Sequence, residues 1–202
     1  MHKRLLLILF ILLLITPSVS ADPPTPEHYT WLPYIRYQKV KPQPYDIQVI
    51  DAVLQFDDMP SCYVIIKEGF VTEISKTEIS SAYYVIWWNI LGPSPFTIFN
   101  IVIVFPNVDS AHDYMYRVMD NCREANDDPI AIPLKISGNI ITVPQIGDET
   151  TACQIPSDTT DMYAVTYRFG NVVSAVVVDG MLTSALRYAD TSLFRIKRLC
   201  EN

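Results

Sequence analysis

Histidine is nearly absent from this 202-residue chain, which holds three: His2, His28 and His112. That scarcity removes most imidazole acid–base chemistry at the outset. The chain also lacks a GxSxG elbow, an SxxK pair and an HExxH helix, the local patterns that mount a serine nucleophile or a catalytic zinc. Cysteine never occurs as a CxxC pair. The four cysteines, Cys62, Cys122, Cys153 and Cys200, are spaced by 60, 31 and 47 residues, which does not suit a Cys-ligated zinc site. The EF-hand order of oxygen ligands is missing as well, so the acidic stretch Asp120, Glu124, Asp127 and Asp128 reads as a solvated helix end and turn. Beyond residue 21 no apolar run is long enough to cross a bilayer. Basic residues are in deficit, 15 against 22 acidic, which disfavours nucleic acid and anionic membrane surfaces as partners. No motif calls for a cofactor or a metal.

The amino terminus, by contrast, is rich in signal. Lys3 and Arg4 precede the apolar run Leu5 to Ile15, and Val19 and Ala21 supply the two small-residue positions that a signal peptidase reads. Eleven apolar residues rise only about 16 Å as a helix, half a hydrocarbon core, so a cleaved leader over 1–21 is expected rather than an anchor. Its removal leaves 13 basic and 22 acidic residues, a formal charge of −9. An even cysteine count in an exported chain predicts disulfides among Cys62, Cys122, Cys153 and Cys200. The expected location is secreted or extracytoplasmic.

Residues 22–44 carry six prolines interleaved with Tyr29, Trp31, Tyr34 and Tyr37, an extended arm part of which is expected to pack on the domain. A single domain is expected over 45–202. Ile47, Ile50, Val53 and Leu54 have helical spacing up to Asp57-Asp58-Met59-Pro60. Residues 62–74 read as two short strands about Lys67-Glu68-Gly69, 82–90 and 96–105 as strands, and 109–123 as a helix whose apolar stripe ends on Cys122. Strands at 130–136 and 139–143 and a polar loop through Gly147-Asp148-Glu149-Thr150 lead to Cys153. Strands at 162–169 and 172–178, joined by Gly170-Asn171, precede a helix at 183–199 whose stripe ends on Cys200.

The unit cysteine–strand–strand–helix–cysteine thus occurs twice, at 62–122 and 153–200. The fold class that follows is α+β: an antiparallel sheet with amphipathic helices on one face, a two-fold repeat and disulfide staples. Pairing within each half, Cys62 with Cys122 and Cys153 with Cys200, is the simplest of three connectivities, and spacing does not select among them.

Three stretches carry a resemblance. They are Val53-Leu54-Gln55-Phe56-Asp57-Asp58-Met59-Pro60, Gly147-Asp148-Glu149, and Tyr167-Arg168-Phe169-Gly170-Asn171-Val172-Val173. Together they resemble a broad group of exported bacterial α+β domains, distantly similar to the extracellular sensor domain of mycobacterial PknH-type kinases. The resemblance implies a disulfide-bonded α+β domain with a cleft, and it carries over no reaction and no catalytic residue. Ser61-Cys62 stand here where the group has glycine-tryptophan, and no lipidation cysteine is present.

Four residues are candidates for a binding surface. Along a strand Tyr83 and Trp87 share one face, and Tyr84 and Trp88 the other. One aromatic face could take a sugar, a lipid or a partner strand, whereas a central strand would cover both. His112, beside Asp109 and Asp113 and one turn from Tyr116, reads as a helix-surface histidine. Asp148 reads as a turn residue bonding its own backbone. The leading expectation is a secreted, non-catalytic domain that binds a small ligand or a protein partner. A structural subunit of an extracellular assembly, docking or self-associating through the arm, is the first alternative. A hydrolase is the second, and it requires His112 to meet carboxylates and a hydroxyl in one pocket.

Overall fold

The computed structural model describes residues 47–71, 78–91, 97–124, 138–156 and 160–201. The leader at 1–21, the arm at 22–44 and the strand expected at 130–136 lie outside the described residues, as do Asp127 and Asp128. Every described element falls in the compact unit Pro44–Asn202.

Seven strands form one antiparallel sheet: β1 (Tyr63–Phe70), β2 (Ser81–Asn89), β3 (Thr97–Val104), β4 (Asn139–Ile141), β5 (Glu149–Ile155), β6 (Met162–Phe169) and β7 (Val172–Asp179). Their order across the sheet is β1-β2-β3-β7-β6-β5-β4. Three helices are described: α1 (Val49–Ala52), α2 (Val108–Glu124) and α3 (Leu182–Glu201). The α+β class and the antiparallel sheet agree with the sequence reading. The repeat is present too, with one more strand per half: β1-β2-β3-α2 and then β5-β6-β7-α3, joined where β3 pairs with β7.

The two long helices, α2 and α3, do not share a face, contrary to expectation. Asn100, Val176 and Val165 stand side by side across β3, β7 and β6, and Ser174 on that face meets Ser192 of α3. Cys153 and its partner Ala164 point to the opposite face, where Cys153 is bonded to Cys122 of α2. A two-fold that keeps β3 and β7 antiparallel must run through the sheet and would leave both helices on one side. The repeat is therefore one of strand order, and the helices break it.

The α3 face holds the larger core. Val85, Trp87, Val102, Val165, Tyr167, Val172, Val176 and Val178 of the sheet pack on Ala185, Tyr188, Ala189, Leu193 and Ile196, a helical stripe spaced by 3, 1, 4 and 3. The α1 segment covers the β2 and β3 end of the same face with Val49, Ala52, Val53 and Leu54. It is one helical turn followed by a 3-10 turn (Phe56–Asp58), shorter than its apolar spacing predicts. The reason is a capture of the backbone. The Leu54 N–H donates to Asn100 Oδ1 at 2.8 Å instead of continuing the helix, and Asp58 accepts the Gln55 N–H at 2.8 Å. Ile50, placed on the stripe by its spacing, faces solvent.

Two further segments differ from the reading. Residues 63–70 are one strand, not two, because the register slips between Ile65 and Lys67 and absorbs the irregularity as a bulge. With Lys67 and Glu68 beside it, that bulge blunts the β1 edge against pairing with another chain. Glu149 and Thr150, read as part of the loop leading to Cys153, open β5 (Glu149–Ile155); its threonines alternate too weakly in hydropathy to show as a strand.

Candidate ligand-binding cleft

Asn107 starts α2: its side-chain carbonyl accepts the Ser110 N–H at 2.8 Å, satisfying a donor that has no partner in the first turn. From there Ala111, Tyr114, Met115, Val118 and Cys122 turn toward the sheet and are buried. One residue to the side runs a second stripe, His112, Tyr116 and Met119, along the border between α2 and β5.

Two clamps hold that border. At one end His112 Nδ1 lies 2.8 Å and 3.0 Å from the two oxygens of Glu149, the first residue of β5. At the other the Cys122–Cys153 disulfide joins the same two elements, with Cα atoms 6.4 Å apart. Ten helical residues from 112 to 122 rise about 15 Å, and four strand residues from 149 to 153 about 13 Å. The spacings match, so α2 lies along β5. Between the clamps is a cleft of about 410 Å³, lined by His112, Met115, Tyr116 and Met119 on one wall and by Val143, Gln145 and Asp148 to Thr151 on the other.

The His112 end is organised by Arg168, whose side chain is 11% exposed. Its Nε and Nη2 donate to Glu149 Oε1 at 2.8 Å and 2.5 Å, and its Nη1 donates to Asp148 Oδ2 at 3.2 Å and the Gly170 carbonyl at 2.8 Å. Asp148 Oδ2 also accepts the Gly170 N–H at 2.8 Å, and the Asp148 N–H donates to the Arg168 carbonyl at 2.8 Å. Burial alone would raise the Glu149 pKa, but the hydrogen bonds from Arg168 and His112 and their charges outweigh it and hold the carboxyl below its ordinary range. Gly147 makes the approach of the two loops feasible. It sits at φ 69°, and a Cβ there would lie 2.4 Å from the Arg168 carbonyl oxygen. Gln145 and Thr150 knit the rest of the loop, the former donating to the Asp148 carbonyl at 3.0 Å and the latter bonding Ile146 at 2.6 Å.

Gly147-Asp148-Glu149 and Arg168-Phe169-Gly170-Asn171, separate motifs in the sequence, are thus one hydrogen-bonded unit. Asp148 is a cross-strand ligand of Arg168 and Gly170, not a turn residue bonding its own backbone. His112 is exposed, as read, but is joined to Glu149. An arginine flanked by an acidic dipeptide in the paired strand was the signal available, since Glu149 and Arg168 are register partners.

The other site candidates fall elsewhere. Tyr83, Tyr84 and Trp87 are buried and Trp88 is half-buried in central strand β2, so the first three present little surface to a ligand. Phe56 covers Trp87 edge-on at 4.9 Å between ring centres. The cysteines pair otherwise than within each half. Cys122–Cys153 joins the halves, because α2 crosses onto β4 to β7 instead of folding back on β1 to β3. Cys62 and Cys200 are free thiols. Cys62 adjoins the Asn89 end of β2, whereas Cys200 is at the far end of α3, where Lys197 lies over Phe169. An eight-residue strand, about 25 Å, separates those ends of the sheet, against the ~7 Å that a disulfide spans. Burial pushes the Cys200 thiol up to about 11, which keeps it protonated and unreactive near neutral pH. Among the described residues no group of His, Cys, Asp and Glu could hold a metal, and no helix is long and apolar enough to cross a membrane.

No protein-family model matches the chain, and no curated protein sequence does. Among solved structures it is similar to the extracellular domain of PknH from Mycobacterium tuberculosis, with a TM-score of 0.51 over 74% of this chain and 95% of that one. The identity is 12%, so the likeness is one of fold, and it agrees with the distant resemblance read from the short motifs.

Proposed function

We propose that this chain is a non-catalytic, sensor-like binding domain acting outside the cytoplasm, and that the cleft between α2 and β5 receives a small ligand. The observation that carries the reading is the cleft's composition. Met115, Met119 and Val143 supply an apolar, adaptable floor beside polar groups whose positions Arg168 sets. The leader-like first 21 residues, the disulfide and the likeness to an extracellular domain support the location. A small-molecule screen by methionine-methyl NMR tests the proposal. Ligands are expected to shift Met115 and Met119, and Met119→Trp, which fills the cleft, is expected to abolish those shifts. A screen in which no compound moves either methyl would sink it.

A hydrolytic reading has one observation in its favour: His112, Glu149 and the hydroxyls of Tyr116, Thr150 and Thr151 share this cleft. It lacks a poised nucleophile. Among the described residues no hydroxyl is within hydrogen-bond reach of His112 Nε2, and the Thr150 hydroxyl is engaged by Ile146. Turnover of activated esters that vanishes in His112→Ala would establish hydrolysis against the binding reading.

A further inference from the structure

We propose that the cleft selects a ligand with a cationic head on an apolar body; this rests on the binding reading above and adds the ligand's chemical class to it. The argument is an inventory of the polar groups at the rim. Both oxygens of Glu149 are engaged, by His112 and Arg168. The guanidinium of Arg168 is directed at Glu149, Asp148 and the Gly170 carbonyl, so its charge is compensated within the protein, and Arg168 is not among the residues that line the cleft. Asp148 differs. Its Oδ2 accepts from Gly170 and Arg168, while Oδ1 accepts no hydrogen bond from the described residues, and the side chain is 44% exposed.

Among these three side chains two carboxylates face one guanidinium, and the available acceptor at this end of the cleft belongs to a carboxylate. An ammonium head would bind that oxygen with a charge-assisted hydrogen bond. The exposed ring of Tyr116, also on the lining, adds a face on which a cation is attracted. Met115 and Met119 then take the hydrocarbon body. A carboxylate or phosphate head would meet the Asp148 carboxylate and find Arg168 already committed. The chain's net charge of −7 biases encounter the same way.

The test uses three probes that share one body and differ in the head: hexylammonium, hexanol and hexanoate. They are titrated at pH 7.5 and constant ionic strength into the full chain carrying ¹³C-methyl methionine. Hexylammonium is expected to shift Met115 and Met119 at roughly tenfold lower concentration than hexanoate, with hexanol between them. Met59, Met162 and Met181 lie outside the cleft and serve as still controls. Asp148→Asn keeps the shape and the bond to the Gly170 N–H; it is expected to weaken the ammonium about tenfold and to leave hexanol unchanged. Hexanoate binding as well as hexylammonium, or an ammonium titration indifferent to Asp148→Asn, would overturn the cationic class and leave the binding reading standing. Silence of Met115 and Met119 toward all three probes would overturn both.

Discussion

The two faces of the sheet are held by different means. On the α3 face, contact is continuous and apolar, and a small polar network is buried within it. Asn100, fully buried in β3, accepts from the Leu54 N–H and donates to Ser174 Oγ at 3.1 Å and the Ala175 carbonyl at 3.2 Å, and Ser174 meets Ser192 of α3 at 3.1 Å. That network ties α1, β3, β7 and α3 at one point. On the α2 face the border with β5 is clamped at its two ends, by a disulfide and by a histidine–carboxylate contact, and between them lies a cleft. A face that is filled stabilises; a face pinned at its margins keeps room for a ligand and needs covalent and ionic contacts to stay in register.

The comparison is broken most severely from the filled side. Trp87 is 0% exposed, and Trp87→Ala removes the largest fully buried side chain of the core, so unfolding in urea is expected at about 3–5 kcal/mol lower stability. The loss is expected to be global: amide exchange should accelerate throughout the sheet. If only α1 and β2 responded, the view of that face as one cooperative layer would be wrong.

Removing the disulfide attacks the clamped side. Cys122→Ala with Cys153→Ala opens a loop of 31 residues and is expected to cost about 3–4 kcal/mol. Exchange should rise first in the last turns of α2 and in β4 and β5, with α3 protected until global unfolding. Equal acceleration in α2 and α3 would show that the two faces do not differ as described.

The ionic clamp has the smaller effect and a pH signature. Arg168→Ala leaves Glu149 and Asp148 without their cation, and allowing for their partial exposure the expected cost is about 2–3 kcal/mol at neutral pH. Because the folded-state pKa of Glu149 is depressed, its contribution is complete above the unfolded value of about 4.5 and is lost as pH falls through the lower folded value. Stability measured from pH 6 down to 3 is therefore expected to fall less steeply in Glu149→Gln than in the unsubstituted chain. Parallel curves would remove Glu149 from the clamp.

Several of these elements could be read from the chain alone. Helices α2 and α3 show as stripes because each buries one face, and β2, β3, β6 and β7 show because they are apolar over most of their length, as strands covered on both sides must be. Gly170-Asn171 marked the β6–β7 turn; Gly170 has φ 59°, and Asn171 donates to the Phe105 carbonyl at 2.8 Å. The aromatic run at 83–88 carried two readings, and alternation could not choose between them. Burial of Tyr83, Tyr84 and Trp87 follows from β2 standing between β1 and β3. The cleft was legible only in fragments, as one histidine on a helix and two short motifs without a common chemistry.

Local pattern determined the type and order of the elements, because backbone geometry and the burial of one or both faces act over a few residues. The face that each helix takes, the Cys122–Cys153 bond that follows from it, and the meeting of His112, Glu149, Asp148 and Arg168 were decided by tertiary structure. Each depends on the path of α2 across the strands of the second half, and a helix presents the same apolar stripe whichever side of a sheet receives it.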